Sequence, residues 1–178
     1  MLAEDYCENI HTIDAEGGIN VNQDLTTAAR NKAGEYFKQG YNCAEAVFRA
    51  YLDLIPNDFG PDAARLATAM GGGLGRAGCA CGALTGAEMV LGMIAGRDSA
   101  SEDLNRVYQF SGELHDRFKA KFGSTCCRSL NKGDYQSQDH FRRCLKITGG
   151  ASMLLMQFLL EHSLLNGHLE ELLETYSA

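Results

Sequence analysis

An all-α single domain is the fold this sequence predicts, and three observations predict it. Apolar residues recur at helical spacing through most of the chain, sustained period-two alternation is absent, and only 2 prolines interrupt 178 residues. The expected architecture is a multi-helix bundle with cysteines at helix ends: a loose arm over residues 1–23, then one helical domain over 24–178. At about 150 residues per domain, the length suits a single unit with a substantial core.

Residues 1–23 are polar, carry Gly17-Gly18 and show no periodicity. Leu25, Ala28, Ala29, Ala33, Tyr36 and Phe37 then mark a first helix, closed by Gly40. Asn42-Cys43-Ala44-Glu45 reads as a capping box, with Asn42 at the N-cap and Glu45 three residues on. Ala46, Val47, Ala50, Tyr51 and Leu54 supply the apolar face of that second helix. Pro61 opens a third through Leu66 and Met70, which the glycine-rich run Gly71 to Gly78 breaks. A fourth runs from Gly82 to about Ala95, with Gly82 and Gly86, then Gly92 and Gly96, placing small residues four apart.

Ser99-Ala100-Ser101-Glu102 has the form of a second capping box, opening a helix whose stripe is Leu104, Val107, Tyr108, Leu114, Phe118 and Phe122. Gly123 suits its C-cap. Residues 124–138 read as a loop rich in Ser, Asn, Gly and Gln. Helix resumes near Asp139, with a break expected at Gly149-Gly150, and a last short helix follows Asn166. No internal repeat or low-complexity linker divides the chain.

Composition excludes several function classes. The net charge of -7 argues against nucleic acid or an anionic membrane surface as partner, because both require clustered Lys and Arg. The acidic N-terminus has no apolar signal region, and the apolar stretch from Met153 to Leu160 falls well short of the ~20 residues that span a bilayer. A cytoplasmic protein without direct membrane insertion is the expectation.

That placement governs the 7 cysteines. In a reducing compartment, clustered cysteines point to metal binding or redox chemistry rather than structural disulfides. Cys7 lies in the arm and reads as incidental. The other cysteines form four stations: Cys43, Cys79 with Cys81, Cys126 with Cys127, and Cys144. Cys43 and Cys81 fall at helix starts, where free N–H groups favour a thiolate over a thiol. Arg76, Arg128, Arg142, Arg143 and Lys146 lie near these stations in sequence and would favour thiolates or an anionic cluster, unless they are simply solvated.

At these residues the chain resembles the C_GCAxxG_C_C family of redox-active proteins. Cys81-Gly82-Ala83-Leu84-Thr85-Gly86 matches its CGAxxG motif. Its other characteristic cysteines are matched by Cys43 within Gly40 to Val47, Cys127 within Phe122 to Arg128, and Cys144. The resemblance covers roughly Ala28 to Leu160 and implies a redox role. A similar domain in split-Soret cytochromes, which also hold an iron–sulfur cluster, implies such a cluster here. The family's genes often lie near transporter genes, which implies a membrane transporter system as partner beside an unidentified redox partner. Cys79 and Cys126 depart from the family pattern and double two stations.

Three chemistries follow. Four thiolates from Cys43, Cys81, Cys127 and Cys144 suit an iron–sulfur cluster or other metal, with Cys79 and Cys126 as alternate ligands. The same four could instead act as a metal-free thiol–disulfide system, one attacking and another resolving. A non-enzymatic helical scaffold or regulatory protein with inert buried cysteines is the third. No Cys-x-x-Cys-His supports covalent haem. Gly73-Leu74-Gly75-Arg76-Ala77-Gly78 spells GxGxxG, but a helix rather than a strand precedes it, so no nucleotide site is expected. His140 and Cys144 are four apart on a helix, a spacing that metal ligands can share, although a surface His is the commoner case. His115 is expected to be packed or solvated, and Glu88, beside the CGAxxG segment, to be an exposed helix residue, with a proton donor as the alternative. The sequence names no substrate and so no enzymatic reaction.

Overall fold

The computed structural model describes residues 21–168 and Leu172, and these form an all-α domain in which the only β feature is one isolated bridge. The arm expected over 1–23 lies outside the described residues up to residue 20, as does Cys7. Helix α1 is Val21–Lys38 and buries Leu25, Ala29 and Ala33. Helix α2 is Cys43–Leu54 and opens on the expected capping box. Asn42 Oδ1 accepts from the Ala44 and Glu45 amides at 2.9 and 3.1 Å, and the Asn42 amide donates to Glu45 at 2.9 Å.

The third helix winds more tightly than expected. Pro61–Met70 is 3-10 rather than α. Asn42 Nδ2 donates to its Thr68 carbonyl at 3.0 Å, which ties this segment to the start of α2. The next turn, α3 (Gly71–Leu74), is left-handed in character, since Gly72, Gly73, Leu74, Gly75 and Arg76 all carry positive φ. The glycines make this turn accessible. The GxGxxG spelling of residues 73–78 overlaps this turn.

Helix α4 spans Gly82–Ala95 as expected. Helix α5 is Leu104–Phe122, closed by Gly123 at φ 85°. Its N-cap is Asp103, not Ser99. The Ser99–Glu102 pattern instead closes a separate turn, in which the Ser99 amide donates to Glu102 at 3.0 Å. The expected loop 124–138 contains a short helix, α6 (Cys127–Asn131). Helix α7, Gln138–Glu161, runs without a break. Gly149 and Gly150 do not interrupt it. A β-carbon on Gly149 would lie 3.3 Å from Arg30, and one on Gly150 3.0 Å from Phe122, so these glycines admit neighbours. Of the final helix expected after Asn166, only Leu172 is described beyond residue 168; it is helical and buried.

The core joins α1, α2, α4, α5 and α7 through Leu25, Val47, Tyr51, Val90, Leu91, Leu114, Phe118, Leu155, Phe158 and Leu159. Burial of such side chains contributes roughly 1.5–3 kcal/mol each against the entropy of ordering the chain. The ends of α2, α4, α6 and the early turns of α7 gather at one side of this core. Among the described residues, no helix is long and apolar enough to cross a membrane.

Candidate functional site

Four elements each bring one cysteine to a single cavity of about 440 Å³. Cys43 is the first residue of α2, Cys81 is the N-cap of α4, Cys127 opens α6, and Cys144 lies in the second turn of α7. All four line the cavity, and all are free thiols. Cys43, Cys81 and Cys127 are buried, while Cys144 is partly exposed.

The glycines of the motif allow this approach. A β-carbon on Gly82 would lie 2.4 Å from the Cys43 sulfur, and one on Gly86 would lie 2.6 Å from the Ala44 carbonyl oxygen. Helix α4 can therefore cross α2 closely enough to set Cys81 beside Cys43. Cys127 is held by backbone pairing. Its amide donates to the Cys79 carbonyl at 2.6 Å, the Cys81 amide donates to Thr125 at 2.8 Å, and Ala80 bridges to Cys126 in antiparallel sense. Cys79 and Cys126 thus contribute backbone to the site. Their thiols do not line the cavity: Cys79 is exposed and Cys126 is partly exposed.

The helix ends do not make Cys43 and Cys81 thiolates in the metal-free chain, contrary to the expectation from their positions. Burial pushes the Cys43 thiol up, against the backbone N–H of Gly72, and nearby Cys127 adds to the rise. Burial, then the neighbouring Cys43, pushes Cys81 up to about 12 despite the N–H groups of Ala83 and Leu84. Cys144 is likewise pushed up to about 12 by burial, then by Cys43 and Cys127. Burial also raises Cys127, opposed by Asn131 and Tyr135. Removing a thiolate from water costs more than the partial charges of one helix turn return.

Asn131 connects the far wall. Its Nδ2 donates to the Cys127 carbonyl at 3.1 Å and faces the Cys127 sulfur at 3.5 Å. Its Oδ1 is therefore the acceptor for His140 Nδ1 at 2.9 Å and for the Cys144 thiol at 3.4 Å. The same His140 nitrogen lies 3.7 Å from Cys144. Burial lowers the His140 pKa. Asn131 was not singled out in the sequence, yet a signal exists. It stands four residues after Cys127, as Cys144 does after His140 and Thr148 after Cys144, the spacing that shares one helix face.

Of the basic residues near the stations, only Arg76 lines the cavity. Arg128 donates to the Ala77 carbonyl at 2.8 Å, Arg143 pairs with Asp134 at 2.9 Å, and Arg142 pairs with Asp139 at 3.6 Å in the open. Glu88 is half-buried rather than exposed, and burial raises its pKa beside Ser111 and His115 of α5, away from the cavity. His115 is exposed and pairs with Asp116 at 2.9 Å.

Thiolate sulfurs are good ligands for iron, zinc and clusters, so the chemistry of the donor set fits a metal centre. Among the described residues, however, no group of three or more Cys, His, Asp or Glu side chains is arranged to hold a metal ion.

No curated protein and no solved structure matches this chain. Residues 41–158 match the family described as "Putative redox-active protein (C_GCAxxG_C_C)", a span that contains all four cavity cysteines and the CGAxxG segment. Matched over more than half its length, the chain belongs to the C_GCAxxG_C_C family of redox-active proteins.

Proposed function

We propose that the protein carries out electron transfer or redox sensing through an iron–sulfur or other metal centre held by Cys43, Cys81, Cys127 and Cys144. The supporting observation is that four thiols from four separate elements surround one cavity. Such a centre would supply a reversible one-electron couple. The chain's own part is to present the sulfurs, to direct the Gly72, Ala44, Ala83 and Leu84 amides toward Cys43 and Cys81, and to hold water back. Amides facing ligand sulfurs stabilise negative charge on them and so raise a reduction potential. Metal binding would also reverse the protonation of these thiols, because the bound form is the thiolate. A cytoplasmic setting belongs to this reading, since thiols stay reduced there. The electron partner is a separate redox protein, with a membrane transporter system as a further partner.

A second reading has its own support. The four cysteines are free and influence one another's ionisation, so a pair could close to a disulfide, passing two electrons to an acceptor and releasing two protons. Anaerobic purification with quantitation of iron, sulfide and zinc separates these readings. Stoichiometric iron with sulfide and a visible spectrum is the expected result. Serine at any one of the four cavity cysteines should then remove most of the iron, while Cys7→Ser, Cys79→Ser and Cys126→Ser should retain it. A colourless, metal-free protein with exchangeable disulfides favours the dithiol system. Metal-free, inert thiols leave the helical scaffold.

A further inference from the structure

The four sulfurs do not account for the whole cavity. Thr148 also lines it, is fully buried, and carries a hydroxyl with no hydrogen-bond partner. A helical threonine ordinarily returns its hydroxyl to the carbonyl one turn back. Here that bond is absent, and an unpaired buried hydroxyl is costly unless something in the cavity meets it. At the exposed rim stands Arg76, whose side chain folds over Gly72: a β-carbon there would lie 3.0 Å from Arg76 Cγ. Arg76 has no ion-pair partner among the described residues, and no carboxylate lines the cavity. The nearest acids are engaged elsewhere. Glu45 accepts from Thr68 at 2.7 Å and from the Asn42 amide, and Asp134 pairs with Arg143. Phe37 and Ile147 complete an apolar wall beside Thr148.

A guanidinium at the rim, a free hydroxyl inside and an acid-free lining select a negatively charged oxygen ligand. We propose that the cavity binds a small oxyanion, carboxylate or inorganic, beside the cysteines, with Arg76 meeting its charge and Thr148 hydrogen-bonding to its oxygen. The proposal rests on the redox reading only for what the anion does there, as a substrate or effector of the thiol centre. Its binding is tested separately.

The test is calorimetric titration of the full chain, as purified without oxygen, with sodium sulfate and with sodium acetate at constant ionic strength. At least one anion should bind in the millimolar range or tighter. Acetate alone assigns a carboxylate, and sulfate alone an inorganic oxyanion. Arg76→Gln and the isosteric Thr148→Val should each weaken binding about tenfold or more, with metal content and thiol titre unchanged. Arg76→Gln sits on the surface, so it remains informative if Thr148→Val fails to fold. Absence of binding, or binding indifferent to both substitutions, overturns the proposal. So does a signal that chloride reproduces, since that is charge attraction alone. If Thr148→Val shifts the visible spectrum while neither anion binds, the hydroxyl serves the metal centre, and the oxyanion proposal fails while the redox reading stands.

Discussion

Cys126 and Cys144 belong to neighbouring segments, yet their thiols are pushed in opposite directions. The amide and hydroxyl of Ser129, with Arg128, lower the Cys126 thiol against slight desolvation at the surface, where it also donates to the Gly78 carbonyl at 3.2 Å. Burial, then Cys43 and Cys127, raises Cys144 to about 12. The thiolate is the form that alkylates, so rate follows the ionised fraction as well as access. In the reduced protein at neutral pH, iodoacetamide should therefore label Cys126 before Cys144, and Cys144 before the buried Cys81. The sign for the raised group is definite: Cys144 stays protonated through neutral pH, and its rate should keep climbing as pH rises toward about 12. Peptide mapping of labelled samples across pH measures both. Equal labelling of Cys81 and Cys126 at pH 7 would contradict the burial argument.

On the scale of elements, the crossing of α2 and α4 gives the CGAxxG segment its physical meaning. Cys81 caps α4, Gly82 admits the Cys43 sulfur, Ala83 is fully buried, and Gly86 rests on the Ala44 backbone. A methyl group at Gly86 would meet the Ala44 carbonyl oxygen at 2.6 Å, where backbone rather than a flexible side chain must yield. Gly86→Ala should destabilise the protein by about 1–3 kcal/mol and reduce metal content with it. Gly92 lies in the same helix with no neighbour within 4 Å of such a methyl. Gly92→Ala should be neutral or stabilising by up to ~1 kcal/mol, since alanine is the better helix former. Chemical denaturation of the two variants compares them directly. Similar destabilisation in both would mean that helix propensity, not the crossing, governs these glycines.

For the whole molecule, two buried hydrogen bonds tie the helices that carry the site. The Tyr51 hydroxyl donates to the Ser152 carbonyl at 2.7 Å, joining α2 to α7, and the Ser152 hydroxyl donates to the Ala29 carbonyl at 2.8 Å, joining α7 to α1. Tyr51 is fully buried at the centre of the core, far along the chain from its partner. Through these ties Cys43 at the start of α2 is held in register with Cys144 on α7. Tyr51→Phe keeps the packing and removes one bond, for an expected loss of about 1 kcal/mol. That should lower the midpoint of thermal unfolding by roughly 2–4 °C in a chain of this size. A larger fall accompanied by a changed reactivity of the cavity thiols would show that this bond also sets their spacing.

Much of this molecule is local and therefore legible in its residues. Helix periodicity, the Asn42–Glu45 capping box and the extent of α4 depend on contacts three or four residues apart, and these agree with the structure. Local patterns failed where a distant group intervened or where an adjacent residue competed. Gly149 and Gly150 make room for Arg30 and Phe122 instead of breaking α7, and Ser99–Glu102 forms a turn because Asp103 caps α5. The helix-end argument for Cys43 and Cys81 failed because a sequence shows the end of a helix but not how much water reaches it. By itself, then, the sequence determined the helices, the family motif and which cysteines to watch. Only the tertiary structure decided that Cys43, Cys81, Cys127 and Cys144 share a cavity, that Cys79 and Cys126 do not line it, and that Asn131, Arg76 and Thr148 join its wall. The physical reason is that proximity and desolvation arise from residues brought together across the chain, and no periodicity along the chain encodes them.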